Sequence, residues 1–285
     1  MSSLGWAAEF PLRLLDTTVV LRVDTGEAAD GVGRLLAPFI IGDAGEIPDR
    51  NCLALVDGDA TGIEARAGLL LAYRNGKVLG GGDTWADSFG SLMTALNRQV
   101  IEEYLGFALH AGVVAKQGRA IAFPADSGGG KSTLTAACIQ QGFDYVSDES
   151  LCIALDTAGV VRYPKPLGLS RWSRERLGID EATLAFPPDR MEGMVIPNDL
   201  GGSVAQNPIV LSHVVIPAYG DGRLALEEAP GHEAMAVLLE YSFNHFKHGA
   251  SAFTLAGRLA NQVTAWRLSY DDPLAAARLI SDRLG

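Results

Sequence analysis

The chain has 285 residues, of which 48% are apolar and 20% are charged, a composition typical of a folded protein with one or two domains. Its formal net charge is −11 and its Lys and Arg residues form no cluster, which argues against a nucleic-acid partner. No segment has the apolar length of a membrane span, the first ten residues do not resemble a signal peptide, and the three scattered cysteines predict neither a disulfide framework nor a zinc site. We therefore expect a cytoplasmic protein that contacts neither membranes nor nucleic acids.

The first part of the chain predicts a small, mostly antiparallel α+β domain at residues 1–106. The pair Asn75-Gly76 lies between two apolar runs, residues 69–74 and 77–79, and is typical of a type I′ hairpin. The other predicted elements of this part are a strand at Thr17–Val23, a helix at 28–38, a strand at 52–56, a loop at 83–90 and a helix at 91–107.

The second part, residues 107–285, predicts an α/β domain. Its predicted strands are 110–115, 119–123, 143–146, 151–155, 160–163, 209–217, 223–227 and 263–268. Its predicted helices are 133–141, Arg171–Leu177, 232–241, 251–262 and Pro273–Leu284, with a long loop at 186–202. Gln117-Gly118 indicates a hairpin turn, and the run Gly220, Asp221 and Gly222 indicates a second hairpin between 209–217 and 223–227.

A glycine-rich run connects the strand at 119–123 to the helix at 133–141. Its residues are Ala125, Asp126, Ser127, Gly128, Gly129, Gly130, Lys131, Ser132 and Thr133. In such a loop the glycines let backbone N–H groups surround a phosphate, Lys131 reaches the terminal phosphates and the Ser132 hydroxyl can ligate Mg²⁺. The helix N-terminus adds a partial positive charge at the same place. The run therefore predicts a phosphate-binding loop with Asp126–Thr133 around a nucleotide; a glycine-rich turn with a surface lysine is the alternative.

Ala125 departs from the usual loop pattern, which has glycine at its first position. The Cβ of alanine disfavours a left-handed backbone, whereas an ordinary φ accepts alanine without strain. The departure therefore poses a specific question about the backbone at Ala125.

Three further residues flank the loop in sequence. Asp148 and Glu149 follow the strand at 143–146, where a carboxylate can hold Mg²⁺ or accept a proton from an attacking hydroxyl. A solvated turn is the alternative interpretation of these acids. His110 begins the strand before the loop strand and can orient or polarise an aspartate base, although most strand histidines are structural.

Together these motifs resemble the HPr kinase/phosphorylase family and, more closely, the HPr kinase-related proteins. The resemblance is carried by His110-Ala111-Gly112-Val113-Val114, the glycine-rich run, Ser147-Asp148-Glu149 and Pro164-Lys165-Pro166-Leu167. It is strong to about residue 169 and loose afterwards. It implies an α/β fold with an HPr kinase / PEP carboxykinase-like P-loop core, next to a small N-terminal α+β domain.

The resemblance also implies roles for individual residues, with ATP and Mg²⁺ as the bound species. Lys131 would hold the β- and γ-phosphates, and Ser132 would ligate Mg²⁺. Asp148 matches the catalytic aspartate that serves as base, and His110 matches the histidine beside it. Glu149 stands where the family has a second Asp that helps to bind Mg²⁺, and it is one methylene longer. The later signature of the reverse, phosphorolytic reaction is not found in the sequence.

Three functions follow from these features. The leading hypothesis is an ATP-dependent kinase that transfers the γ-phosphate to a hydroxyl acceptor: a serine of a protein or ribosomal peptide, or a small molecule. The second is a nucleotide-binding regulatory or assembly module without phosphotransfer, which Ala125 and Glu149 allow. Phosphate transfer of the PEP carboxykinase type ranks last, because no metal-ligand set supports it. The resemblance also allows a homo-oligomer. For Lys165, which lies between two prolines, the sequence leaves two roles open: a contact to phosphate or a loop cap.

Overall fold

A computed structural model describes residues 5–42, 51–126, 128–188, 192–220 and 222–285. The fold is mixed α/β, as expected. The strands are β1 Ala8–Leu14, β2 Thr17–Val23, β3 Cys52–Asp57, β4 Leu70–Arg74, β5 Lys77–Gly82, β6 Phe107–Lys116, β7 Arg119–Pro124, β8 Asp144–Ser147, β9 Ser150–Ile153, β10 Val160–Val161, β11 Leu167–Leu169, β12 Gly193–Val195, β13 Val210–Tyr219, β14 Ala225–Ala229 and β15 Thr264–Tyr270. The helices are α1 Gly26–Leu35, α2 Trp85–Glu103, α3 Lys131–Gln140, α4 Arg171–Leu177, α5 Gly231–Glu240, α6 His245–His248, α7 Ala250–Ala260 and α8 Pro273–Leu284.

The chain divides into two compact units. Unit 1 comprises Met1–Glu103 and Gly168–Val195, and unit 2 comprises Tyr104–Leu167 and Ile196–Gly285. This division differs from the expected one, 1–106 and 107–285, chiefly in the segment Gly168–Val195, which packs with unit 1. Within the described ranges, none of the helices combines the length and the apolar character needed to cross a membrane.

Unit 1 contains a five-stranded sheet in the order β1-β2-β3-β4-β5, antiparallel except for the parallel β2–β3 pair. The hairpin predicted at Asn75-Gly76 is confirmed, and both turn residues have positive φ, 52° and 76°. Strand β1 was not predicted. The predicted loop at 83–90 is wrong, because α2 begins at Trp85. Its polar residues cap the helix instead: the backbone N–H of Asp87 donates to Thr84 Oγ1, and Thr84 N–H donates to Asp87 Oδ2.

Unit 2 is built on an eight-stranded mixed sheet in the order β10-β9-β6-β7-β13-β15-β14, with β8 also paired to β6. The hairpin predicted around Gly220 and Gly222 is wrong, because β15 lies between the two expected partners: β13 pairs with β15 in parallel and β14 pairs with β15 antiparallel. Asp221 lies outside the described residues. The predicted turn at Gln117-Gly118 is confirmed and joins β6 to β7.

Strand β6 crosses the middle of unit 2 with helices on both faces. Its odd-numbered residues, such as Ala111 and Val113, belong to the apolar core that also contains buried residues of α5 and α7. Because side chains alternate along a strand, Gly112 faces the other way, where α3 approaches so closely that a Cβ on Gly112 would lie 2.3 Å from Thr135 Oγ1. His110 shares the parity of Gly112. The sequence predicted a helix up to residue 107 and a strand that begins at His110. Strand β6 begins at Phe107 instead, so His110 lies inside the strand.

Candidate functional site

The glycine-rich run connects β7 to α3 at one edge of the unit 2 sheet. β7 ends at Pro124 and α3 begins at Lys131, so strand, loop and helix follow one another as expected. β7, β13 and β15 are parallel, so their carboxyl ends lie at this same edge. Open α/β sheets bind ligands outside the carboxyl ends of such strands. The loop is therefore placed where ligands of this architecture bind; Ser127 lies outside the described residues.

The backbone of the loop answers the question posed by Ala125. The described non-glycine residues with positive φ do not include Ala125, so alanine sits there without left-handed strain. Gly128 and Gly130 have φ of 81° and 78°, which favours glycine at both positions. At Gly129 a Cβ would lie 3.0 Å from Ala125 Cβ, so the first loop position packs directly against the glycine run.

Lys131 is the first residue of α3, and it is buried rather than a surface lysine, with 6% of its area exposed. Its ammonium donates hydrogen bonds to the carbonyl oxygens of Ala125, at 2.8 Å, and Asp126, at 2.6 Å. Burial lowers the pKa of Lys131, and the charges of Asp148, Glu149 and Asp126 oppose that effect. Lys131 is thus held across the loop within the electrostatic reach of three carboxylates.

Asp148 lies in the link between β8 and β9 and is 5% exposed, so it does not form a solvated turn. The Ser132 hydroxyl in the first turn of α3 lies near enough to its carboxylate to lower the pKa of Asp148. Burial raises the pKa of Asp148 to about 6, and the charges of Lys165 and Lys131 and the Ser132 hydroxyl act against this rise. Asp148 Oδ1 has no hydrogen-bond partner among the residues that the structure describes. A buried, unpartnered carboxylate oxygen is unusual and is found at sites that bind or react.

Glu149 is anchored through its backbone and its side chain. β8 and β9 pair with consecutive stretches of β6, so the link between them lies beside β6, and the Ala111 N–H donates to the Glu149 carbonyl at 3.2 Å. The Glu149 carboxylate forms an ion pair with Lys165, with Nζ and Oε2 3.1 Å apart. Lys165 is itself buried, with 9% exposed. The ammonium group of Lys165 therefore lies beside the acid pair, in addition to that of Lys131. The sequence alone allowed two roles for Lys165, a contact to phosphate and a loop cap.

His110 lies in β6 directly before the stretch that faces α3. Burial lowers its pKa and the Lys131 charge adds to that effect, whereas Glu149 and Asp126 oppose it. The Phe243 ring packs edge-on against the imidazole, with ring centroids 5.4 Å apart. In the described part of the chain Nδ1 of His110 has no hydrogen-bond partner. The histidine is thus near the loop lysine and the acid pair, but no hydrogen bond joins it to the Asp148 side chain.

The remaining predicted loop residues divide between surface and interior. Asp126 and Gly128 are exposed, Gly129 and Gly130 are half-buried, and Thr133 is buried in the first turn of α3. At Gly130 a Cβ would lie 3.0 Å from the Tyr270 hydroxyl at the end of β15. That tyrosine borders the loop and was not predicted, because nothing in the local sequence indicates where the end of a distant strand will lie.

Within the described ranges, no group of three or more His, Cys, Asp or Glu side chains is placed to hold a metal ion. A nucleotide-bound Mg²⁺ needs fewer protein ligands, since phosphates and waters complete its octahedron. The Ser132 hydroxyl, the Asp148 carboxylate with its unpartnered oxygen and the Glu149 carboxylate are oxygen donors of the kind that Mg²⁺ takes. These donors fit such an ion.

Comparison of the chain with protein-family models and with curated proteins gives no match.

Proposed function

We propose that unit 2 binds ATP and transfers its γ-phosphate to a hydroxyl group. The single observation that carries this proposal is the buried Asp148 carboxylate, whose Oδ1 has no partner among the described residues and on which Lys131 and Ser132 of the loop both act. This arrangement unites residues of the glycine-rich run with a carboxylate from a different part of the chain. Phosphoryl transfer needs this combination, because catalysis there consists largely of positioning and of neutralising charge.

The proposed step assigns one task to each group. The acceptor hydroxyl oxygen bonds to the γ-phosphorus, the bond from that phosphorus to the β–γ bridging oxygen breaks, and its electron pair leaves with ADP. The acceptor proton passes to Asp148, whose pKa of about 6 leaves it ionised at neutral pH. Lys131 exchanges its loop carbonyls for phosphate oxygens, and His110 borders the acid pair without taking the proton. Mg²⁺, when bound by Ser132 and Glu149 with Asp148 nearby, supplies neutralisation of the phosphate charge.

The order of motifs further supports an HPr kinase / PEP carboxykinase-like P-loop core, which we propose as the fold relationship of unit 2. The acceptor is then a serine of a protein or ribosomal peptide, or a small alcohol, and a homo-oligomeric cytoplasmic enzyme agrees with this relationship.

A nucleotide-binding module without phosphotransfer is the second candidate. The Glu149–Lys165 ion pair favours it, because the carboxylate proposed for Mg²⁺ is engaged by an ammonium group 3.1 Å away. Such a module would bind nucleotide tightly and leave it intact.

The test combines binding with turnover. A fluorescent ATP analogue reports affinity with Mg²⁺ present, and labelled ATP reports transfer to water and to a panel of serine-containing peptides. We expect Lys131→Ala to weaken binding at least about tenfold, since it removes a charged contact to phosphate, while the exposed Lys77→Ala control leaves binding unchanged. Asp148→Asn should keep binding and lose turnover by about 100-fold or more. Equal turnover by Asp148→Asn and wild type would refute the assigned base, and tight binding without turnover in wild type would favour the second candidate.

A further inference from the structure

We propose that Lys165 is a second phosphate-binding cation of this site, which contacts the γ-phosphoryl group opposite Lys131. The inference rests on the proposed function and assigns a catalytic residue to it.

The ammonium of Lys165 lies in a largely buried position beside the acid pair. Lys165 is 9% exposed, and a lysine is rarely so buried without a partner for its charge. Its Nζ lies 3.1 Å from Glu149 Oε2, next in sequence to the proposed base Asp148. The Glu149 side chain is 37% exposed, so solvent screens the pair and it contributes little net stability. A structural role alone therefore gives a weak reason for placing a cation here.

The backbone of Lys165 is held by hydrogen bonds on both its carbonyl and its N–H. The hydroxyl of Tyr145, a fully buried residue, donates to the Lys165 carbonyl at 2.6 Å, and the Lys165 N–H donates to the Tyr163 carbonyl at 2.9 Å. Pro164 and Pro166 flank the residue and restrict its backbone further. These contacts already fix the loop through the main chain, so a loop-capping role does not require the ammonium group at Glu149.

Lys165 and Lys131 are the cations that act most strongly on the Asp148 carboxylate, and the effect of Lys165 is the larger. The two lysines reach the carboxylate from separate segments, one from α3 and one from the connection between β10 and β11. A phosphoryl group placed for attack near Asp148 would therefore meet both charges.

The chemistry of the transfer gives the second cation a task. Negative charge spreads over the three equatorial oxygens of the transferring group, and a cation in addition to the loop lysine stabilises it. Lys165 keeps its proton and donates hydrogen bonds to one of these oxygens while the acceptor proton passes to Asp148. Glu149 holds the ammonium beside that position, which pre-organises the contact.

The experiment compares the affinities for ATP and ADP, because only ATP carries the γ-phosphate. In wild type and in Lys165→Met, Lys165→Gln and Lys165→Arg, titration with each nucleotide in Mg²⁺ gives the two dissociation constants. We expect Lys165→Met and Lys165→Gln to weaken ATP binding about tenfold while ADP binding changes by less than about twofold. Lys165→Arg should retain the preference for ATP. Lys116→Met, which removes another lysine charge of unit 2, serves as control and should leave both constants unchanged.

The outcomes separate the two proposals. An unchanged ratio of ATP to ADP affinity in folded Lys165→Met and Lys165→Gln overturns the assignment, as does an equal loss for both nucleotides. Melting curves and circular dichroism establish folding. Should neither variant fold, acetylation of lysines in wild type decides, since protection of Lys165 by a non-hydrolysable ATP analogue but not by ADP supports the contact and equal protection overturns it. Absence of turnover in wild type would overturn the proposed kinase activity alone, because the affinity ratio still reports on Lys165.

Discussion

The Ser132 hydroxyl at the start of α3 lies near enough to the Asp148 carboxylate, in the link between β8 and β9, to lower its pKa. Strand β6 brings the two residues near each other, because α3 packs against its Gly112 face and β8 and β9 pair along its edge. A residue of the glycine-rich loop and a buried acid are thereby joined through one strand. The consequences of this arrangement can be measured.

The first prediction concerns the pH dependence of turnover. Burial raises the pKa of Asp148 to about 6, so its ionised, proton-accepting form is lost as the pH falls through that value. We expect kcat/KM to fall about tenfold per pH unit below 6 and to level off above it. Nucleotide affinity measured at each pH separates binding from turnover. A flat profile between pH 5 and pH 7.5 would contradict the role of Asp148 as base.

The second prediction concerns stability. The folded pKa of Asp148, about 6, lies above its ordinary value of 3.8, so its contribution to the free energy of unfolding is present below pH 3.8 and lost as the pH rises through about 6. The difference between these two pKa values corresponds to about 3 kcal/mol of unfolding free energy, which the wild type loses as the pH rises. Asp148→Asn has no carboxyl group at this position, so it does not show this loss. We expect the melting temperature of Asp148→Asn relative to wild type to rise between pH 4 and pH 7. All other ionisable groups titrate in both proteins. A difference in melting temperature that stays constant with pH would therefore show that burial does not raise the pKa of Asp148.

Local signals in the sequence predicted the elements whose ends are set by nearby residues. The Asn75-Gly76 turn followed from two residues that accept positive φ. Helix α8, predicted at Pro273–Leu284, starts at a proline and is capped by Asp272, whose side chain accepts from Leu274 N–H. Such signals act within a few residues and need no knowledge of the remaining fold.

Pairing across the sheet could not be predicted in the same way. Gly220 and Gly222 do have the positive φ of turn residues, yet β13 and β14 do not pair, because β15, which begins only at Thr264, lies between them. The site shows the same limit. The phosphate-loop pattern indicated Lys131 and Ser132, whereas the place of Lys165 beside Glu149 depends on Tyr145 and on the path of a later connection.

The third prediction contrasts two loop positions. Ala125 has an ordinary φ, so Ala125→Gly should change nucleotide affinity by less than about threefold and lower stability by about 0.4–1 kcal/mol through the freer unfolded chain. Gly128 has a φ of 81° with open space around its Cβ position, so Gly128→Ala meets no atom but strains the backbone. That strain costs roughly 1–2 kcal/mol and should weaken nucleotide binding measurably. Binding titrations of both variants test the contrast, and the reverse order of effects would refute the loop geometry.

The fourth prediction concerns the close approach of α3 to β6. A Cβ on Gly112 would lie 2.3 Å from Thr135 Oγ1, so Gly112→Ala should lower the free energy of unfolding by about 1–3 kcal/mol. The Thr135 hydroxyl is buried without a partner among the described residues, so Thr135→Ala removes the clashing atom and breaks no hydrogen bond. We expect the double variant Gly112→Ala/Thr135→Ala to recover most of the loss.

Urea unfolding of the wild type, both single variants and the double variant gives the coupling free energy directly. Gly90→Ala is the matched control. Gly90 lies within α2, and an added Cβ would clash with nothing, since Met194 Cε lies 3.9 Å away. A glycine replaced by alanine in such a helix should gain up to about 1 kcal/mol. Additive losses at Gly112 and Thr135 would show that the two residues are not in contact, and α3 would then not be seated on β6 as described. Recovery in the double variant, with nucleotide affinity restored alongside stability, would tie the position of Lys131 and Ser132 to the small residue on β6.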